Sequence, residues 1–278
     1  MRARTAVIVG NGPSAAAPRA GAILASDFIL RTNNFFLEPK ALLGARVDLA
    51  MVAGDPRVAP FVFATLRHCA DIYDIRAWSA VKQPVIGAGL RTMRAPFVPM
   101  QTATSDLEAD VQAFSHKHGA EPGAAVQAML LAHALGFENL ILLGVDLYAG
   151  PRRYAFATGR HMKDILGQDL DHRPYDPMHS EALDRAVIAK VAALPGVVVS
   201  CGSEMSPLSR DLDLSPVRQG APVRPVPKRQ VDDWVPWAGA YPIWGLKLMR
   251  TGRRALRRVS EHAGRGISRK SSQKSPPI

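Results

Sequence analysis

Cysteine is nearly missing: the 278 residues hold only Cys69 and Cys201, with no C-x-x-C pair and no partners at zinc-ligand spacing. This excludes a disulfide-stapled scaffold and a cysteine-built metal centre, and it points to a reduced compartment with two unpaired thiols. Long apolar runs are missing too. None approaches the roughly 20 residues of a spanning helix, and the opening MRARTAVIVGNGP carries an apolar stretch too short for a signal sequence. The expected location is therefore cytoplasmic. The body of the chain also lacks net charge. Residues 1–217 hold 21 Lys+Arg and 21 Asp+Glu, so the whole excess of +11 belongs to residues 218–278, with 14 against 3. A neutral body gives no electrostatic footing for nucleic acid, and no nucleic-acid partner is expected. An apolar fraction of 47 % excludes a disordered chain.

What is present begins with Ala6 to Ser14, AVIVGNGPS. Val7, Ile8 and Val9 read as a strand buried on both faces of a parallel sheet. The strand breaks at Gly10-Asn11-Gly12, and Pro13-Ser14 suits the first positions of a helix. A strand, glycine turn and helix in this order make a nucleotide-site geometry, with backbone N–H groups facing an anion. Ala15 stands where G-x-G-x-x-G needs its third glycine, so the turn alone fits a structural corner equally well.

Further along, the alanine-rich segment 15–25 predicts a helix and Asp27 to Arg31 a second strand, with Asn33 at its carboxyl end. On position alone Asn33 suits either the ligand crevice or an Asx turn. Val47 to Val52 predicts a third strand. Residues 57–120 give helices over 60–68 and 106–118 around an irregular region, with His116 and His118 facing water. Glu121-Pro122-Gly123 opens the helix 124–135, closed by Gly136, and Asn139 to Val145 reads as a central strand. The loop Asp146 to Gly150 follows, with Asp146 a turn residue. Residues from about 151 to 179 form a polar, aromatic segment of lid type, with a short helix near 162–166. His179 and Ser180 then lead into a helix over 181–194 and a last strand over 197–200.

The expected class is α/β: a single Rossmann-like domain over 1–217 with a mostly parallel sheet and a lid-like insertion, then a basic tail over 218–278. Within the tail, residues 234–258 interleave Trp234, Trp237, Tyr241 and Trp244 with arginines. Aromatic and cationic residues so mixed predict an interfacial helix on the inner face of the cytoplasmic membrane. A basic solvated tail is the alternative, and 268–278 is expected to be disordered in either case.

Taken in order, VIVGNGPS, LRTNNFFLEPKALLG, ALGFENLILLGVDLY, RRYAFATGR and HS-E-x-L-D resemble the sialyltransferases of glycosyltransferase family 42 over residues 5 to 205. The spacing that carries the resemblance is two tyrosines six apart after the GVD turn and a histidine about twenty-five further on. The resemblance implies an inverting, metal-independent transfer of sialic acid from CMP-sialic acid to a galactose- or sialic-acid-terminated glycan, lipooligosaccharide or capsule related, with no cofactor. It implies that Gly10, Asn11, Gly12, Ser14 and Asn33 hold CMP, and that Tyr148 and Tyr154 donate to its phosphate. It makes His179 the base for the acceptor hydroxyl and places Tyr175 in the active site. Gly123 would offer its N–H to a carboxylate at the helix start.

Two departures bear on the donor sugar. Glu121 and Ala124 stand where the family has an arginine and a serine. The alternatives are therefore a nucleotide-binding relative using another donor sugar, or a catalytically silent membrane-associated glycan-binding protein. A homo-oligomer is left open.

Overall fold

The computed structural model describes residues 4–150, 152–166, 179–232, 237–238 and 241–256 except 254. Tyr175, the part of the expected lid over 167–178, Trp234 and the end of the tail lie outside the described residues.

Six parallel strands form the main sheet: β1 (Thr5–Val9), β2 (Phe28–Thr32), β3 (Leu49–Met51), β4 (Trp78–Ser79), β5 (Asn139–Leu143) and β6 (Val198–Cys201). Their order is β4-β3-β2-β1-β5-β6. The architecture is the α/β, Rossmann-like one expected. Strand β1 lies between β2 and β5, in register Val7 with Ile29 on one side and Val7 with Ile141 on the other. Its apolar run does not alternate because both faces are covered. From β1 the chain builds outward through β2, β3 and β4, then returns to place β5 on the opposite flank. The carboxyl ends of β1 and β5 thus bound the switch-point crevice where open α/β sheets take ligands.

The helices are α1 (Ala59–His68), α2 (Gln83–Thr92), α3 (Ser105–His118), α4 (Ala124–Ala134), α5 (Arg160–Leu166) and α6 (Glu181–Ala192). Helix α4 is buried almost all round, against β1 and β2 on one side and α6 on another, which is why its sequence is continuously apolar. A second core joins Phe35, Phe36, Phe61, Phe63 and Trp78. Near it, Arg31 and Glu38 form an ion pair of 2.6 Å with side chains 1 % and 0 % exposed. The Tyr73 hydroxyl (3.0 Å) and Leu42 N–H (3.1 Å) also donate to Glu38, so the buried carboxylate is hydrogen-bonded as well as paired.

Three local expectations are corrected. The predicted helix over 15–25 is a single 3-10 turn, Pro13–Ala16. Pro18 cannot donate within a helix and its ring opposes the preceding turn, and Gly21 takes φ +70°. The strand expected over 47–52 divides at Asp48. Arg46–Val47 pairs with Asp74–Ile75 in a separate ladder, Leu49–Met51 joins the main sheet, and Asp48 accepts the Ile29 N–H at 2.8 Å. The region read as irregular contains β4 and α2. Helix α2 bears Gly89 against Trp78, where a Cβ would collide with the indole ring; a glycine chosen for that contact reads locally as a breaker.

Beyond residue 217 the chain runs along the body. Arg218 pairs with Asp27, Val226–Pro227 pairs antiparallel with Lys40–Ala41, and Arg229 pairs with Asp71 at 2.8 Å. Residues 243–253 are helical. Ile243 is buried in the second core, Lys247 pairs with Asp164 of α5 at 2.6 Å, and Arg250 donates to the Asp164 carbonyl at 3.2 Å.

Candidate active site

The crevice between β1 and β5 opens into a cleft of about 670 Å³ that continues into solvent. Its walls come from four loops: Gly10-Asn11-Gly12 after β1, Thr32-Asn33 after β2, Gly144 to Tyr154 after β5, and the segment ahead of α6 carrying His179. The start of α4 closes it.

Glycine is required where two of these loops cross. A Cβ on Gly144, at φ +66°, would stand 2.6 Å from the Gly10 carbonyl oxygen, and a Cβ on Gly12 2.6 Å from Asp146 Oδ2. Backbone bonds lock the crossing, with Gly10 N–H donating to Leu143 O (2.8 Å) and Gly12 N–H to Gly144 O (2.9 Å). The helix N-terminus expected after this turn is therefore corrected: a one-turn 3-10 helix follows, and the Gly10 and Gly12 N–H groups are taken by the crossing loop. Ser14 is corrected with it. It does not line the cleft; its N–H donates to Asp146 at 2.8 Å and its hydroxyl to the same carboxylate. Asp146 is the turn-holding residue expected.

Asn11 lines the cleft and is 8 % exposed. Its Nδ2 donates to Thr32 O at 2.8 Å, while its Oδ1 has no partner among the described residues. A buried amide oxygen left this way costs free energy unless a donor reaches it from the cleft. Asn33 also lines the cleft, at φ +47°, with its N–H donating to Met51 O. Asn33 thus makes a turn and faces the crevice at once.

The loop after β5 is strained. Leu147 and Tyr148 take φ +51° and +61° in succession, a conformation that costs non-glycine residues about 1 kcal/mol or more each. Leu147 is buried in the core and anchors the turn, which sets Tyr148 in the cleft wall. The Tyr148 ring stacks on His179, with centroids 4.8 Å apart and planes at 14°. Arg153 lies with its guanidinium carbon 5.6 Å from the ring centroids of both Tyr148 and Tyr154. The Ala155 N–H donates to Asn11 O at 2.8 Å, tying this loop to the first corner. Tyr148, Tyr154, His179 and Asn11 consequently share one cleft.

Gly123 lines the cleft at the cap of α4, but its N–H already has a carboxylate acceptor, Asp184 Oδ1 at 2.8 Å. A Cβ there would be 2.7 Å from Asp184 Oδ2 and 2.9 Å from the Tyr148 hydroxyl, so three groups converge on this glycine. Glu121 lies off the cleft wall, 61 % exposed and paired with Lys82 at 3.0 Å, whereas Ala124 is part of the wall. Arg152, Arg153 and Asp184 also line the cleft, beyond the residues the sequence points to. Asp184 is one helical turn from the cap Ser180, and only the packing of α6 on α4 brings it to the site.

Burial pushes the Asp184 carboxyl up to about 6, against the opposing effect of the Gly123 hydrogen bond. The folded state therefore retains a proton that the unfolded state has released between about pH 4 and 6. Stability from this group falls as pH rises through that window and stays low above it, by roughly 3 kcal/mol. Asp184→Asn keeps an acceptor for Gly123 without the charge. Urea unfolding is expected to show the variant gaining on wild type by roughly 2 to 3 kcal/mol between pH 4 and 7; a difference that does not vary with pH contradicts the assignment.

No protein-family model and no curated protein matches the chain. Solved structures do. The sialyltransferase CstII from Campylobacter jejuni, in complex with the substrate analogue CMP-3FNeuAc, matches with a TM-score of 0.71 at 17% identity, over 86% of this chain and 97% of that one. CstII in complex with a trisaccharide acceptor and CMP gives 0.69 at 17% over 86% and 97%. The monofunctional alpha-2,3-sialyltransferase Cst-I from Campylobacter jejuni gives 0.70 at 17% over 92% and 96%. The chain shares the fold of these sialyltransferases. The match covers nearly all of each of those chains. At this identity the sialyltransferase fold is what the likeness establishes, and the chemistry rests on the cleft residues.

Proposed function

We propose that the protein is a glycosyltransferase that moves sialic acid from CMP-sialic acid to a hydroxyl of a galactose- or sialic-acid-terminated glycan, with inversion and without a metal or cofactor. The observation that carries this reading is the meeting of Tyr148, Tyr154 and His179 in the cleft walled by Asn11 and Asn33. The acceptor oxygen bonds to the anomeric carbon as the bond from that carbon to the phosphate oxygen breaks. Negative charge builds on the departing phosphate, and the two phenol hydroxyls donate to it where it builds, which lowers the barrier. The proton of the acceptor hydroxyl passes to His179, whose general-base action contributes roughly 10²- to 10⁴-fold. A single displacement converts the β-linked donor into an α-sialoside.

The bound likenesses support the donor class, since CstII is solved with CMP and with a CMP-sugar analogue. Because the Gly123 N–H is occupied by Asp184, the second reading is the same transfer from a different CMP-activated sugar. Isotope-labelled CMP-sialic acid with galactose-terminated acceptors tests the first. An acid-labile labelled α-sialoside is the expected product. CMP binding without transfer or donor hydrolysis favours the second reading, and no nucleotide binding leaves a silent glycan-binding protein.

For the tail we propose peripheral attachment to an anionic membrane on the cytoplasmic side, where a lipid-linked lipooligosaccharide precursor would be presented. Within the helical segment 243–253, Ile243 and Leu246 pack on the body, while Trp244 (71 % exposed) and Leu248 face outward beside Lys247. Among the described residues no helix is long and apolar enough to cross a membrane.

A further inference from the structure

The tail supports the cleft from behind. Helix α5 continues from the loop that carries Tyr154, and the tail helix over 243–253 lies on it. The last carbonyls of a helix have no partner within it. Here the Arg250 guanidinium supplies one, donating from Nη1 to Asp164 O at 3.2 Å and from Nη2 to Ile165 O. A cation at a helix C-terminus also offsets the negative end of the dipole. The Asp164 carboxylate is held at the same time by Lys247 (2.6 Å) and Arg160 (3.5 Å). Beneath these polar contacts one apolar core is shared: α5 gives Met162 and Ile165, the tail gives Ile243 and Leu246, and Tyr154 packs against it from the cleft. Met162 also reaches the Asn33 side of the cleft, its Sδ accepting from Asn34 Nδ2 at 3.6 Å. A helix of seven residues does not hold its own shape in water, so α5 takes its place from what packs on it.

We propose that Arg250 is a positioning residue for Tyr154: with Lys247 it clamps the end of α5, α5 holds the loop ahead of it on the second core, and the phenol is thereby kept at the departing phosphate. This rests on the reading of Tyr154 as a donor to that phosphate. The tail is then part of the catalytic unit, with or without a membrane beside it. A donor that acts on charge building in the transition state is sensitive to placement, and a shift of about 1 Å can cost about 10²-fold. The loss falls on turnover more than on donor binding, because the interaction is made mainly in the transition state.

Steady-state transfer by the full chain, from CMP-sialic acid to a soluble galactose-terminated acceptor without lipid, tests this with Arg250→Met, Arg250→Lys, Tyr154→Phe and the double variant. Arg250→Met is expected to lower kcat about 10-fold while the donor KM changes by less than about twofold. Arg250→Lys is expected to recover part of the loss, since an ammonium keeps the charge but not the planar fork that spans two carbonyls. In the double variant Arg250→Met is expected to add nothing to the loss from Tyr154→Phe, because both act through one hydroxyl. Arg253→Met, at an exposed arginine of the same helix, is expected to match wild type. If Arg250→Met does not fold, Arg250→Lys is read in its place, alone and paired with Tyr154→Phe, against the same criteria. Wild-type kcat in the Arg250 variant overturns the proposal, as does full additivity with Tyr154→Phe or an equal loss in Arg253→Met. Wild-type protein without transfer, or Tyr154→Phe at full turnover, overturns the phosphate reading of Tyr154 and this proposal with it, a failure seen before Arg250 is changed.

Discussion

His179→Ala is expected to lower sialyl transfer roughly 10²- to 10⁴-fold while CMP binds as in wild type. The imidazole reaches the cleft from the segment just ahead of α6, and its place is set from two sides. The Ser180 side chain caps α6 by accepting the Leu183 N–H at 3.2 Å, and the ring itself lies flat on Tyr148. A base of this kind acts on the acceptor hydroxyl, on the far side of the sugar from the phosphate, so nucleotide affinity has no reason to follow turnover. The measurement is initial rate with labelled donor beside CMP calorimetry. Loss of both together would show that His179 holds the site in shape and is not the base; retention of turnover would remove it from the reaction.

The second large effect is structural. Gly144→Ala is expected to destabilise the protein by roughly 3 to 5 kcal/mol, a fall of about 10 °C in Tm, and to abolish CMP binding. The substituted residue would have to hold φ +66° and place its Cβ 2.6 Å from the Gly10 carbonyl oxygen and 2.7 Å from the Ala15 Cβ. Backbone cannot swing aside as a flexible side chain can, so either the two loops part or the strand ends shift. Both movements open the cleft. Gly252→Ala, with open space around the new methyl group, is the matched control and is expected to leave Tm unchanged. Thermal unfolding of the two variants decides the matter: equal Tm values contradict the crossing as the site's foundation.

The parts of the fold that were legible in the sequence are those whose environment is uniform along the chain. Strands β1 and β5 are buried on both faces, so their apolar runs state their own role, and α4 reads as a helix because Gly123 and Gly136 bracket an apolar stretch. The 15–25 segment is rich in alanine, but Pro18 and Gly21 at φ +70° end the helix after one turn. Strand β4 is two residues long and its helix α2 meets Trp78 through a glycine, so neither has a local signature. In the cleft, the sequence ordered Asn11, Asn33, Tyr148, Tyr154 and His179, but it could not say that Asp146, 132 residues from Ser14, would take both of that serine's hydrogen-bonding groups. Asp184 and Gly123 meet for the same reason, through packing between helices 61 residues apart. Partners chosen at long range are set by topology, which no local pattern records.

The most direct measurement of the central claim is a crystal structure of the protein soaked with CMP. The phosphate is expected within hydrogen-bond reach of the Tyr148 and Tyr154 hydroxyls, with the nucleoside against Asn11 and Asn33. CMP seated elsewhere, or a cleft that stays empty at saturating nucleotide, would contradict it.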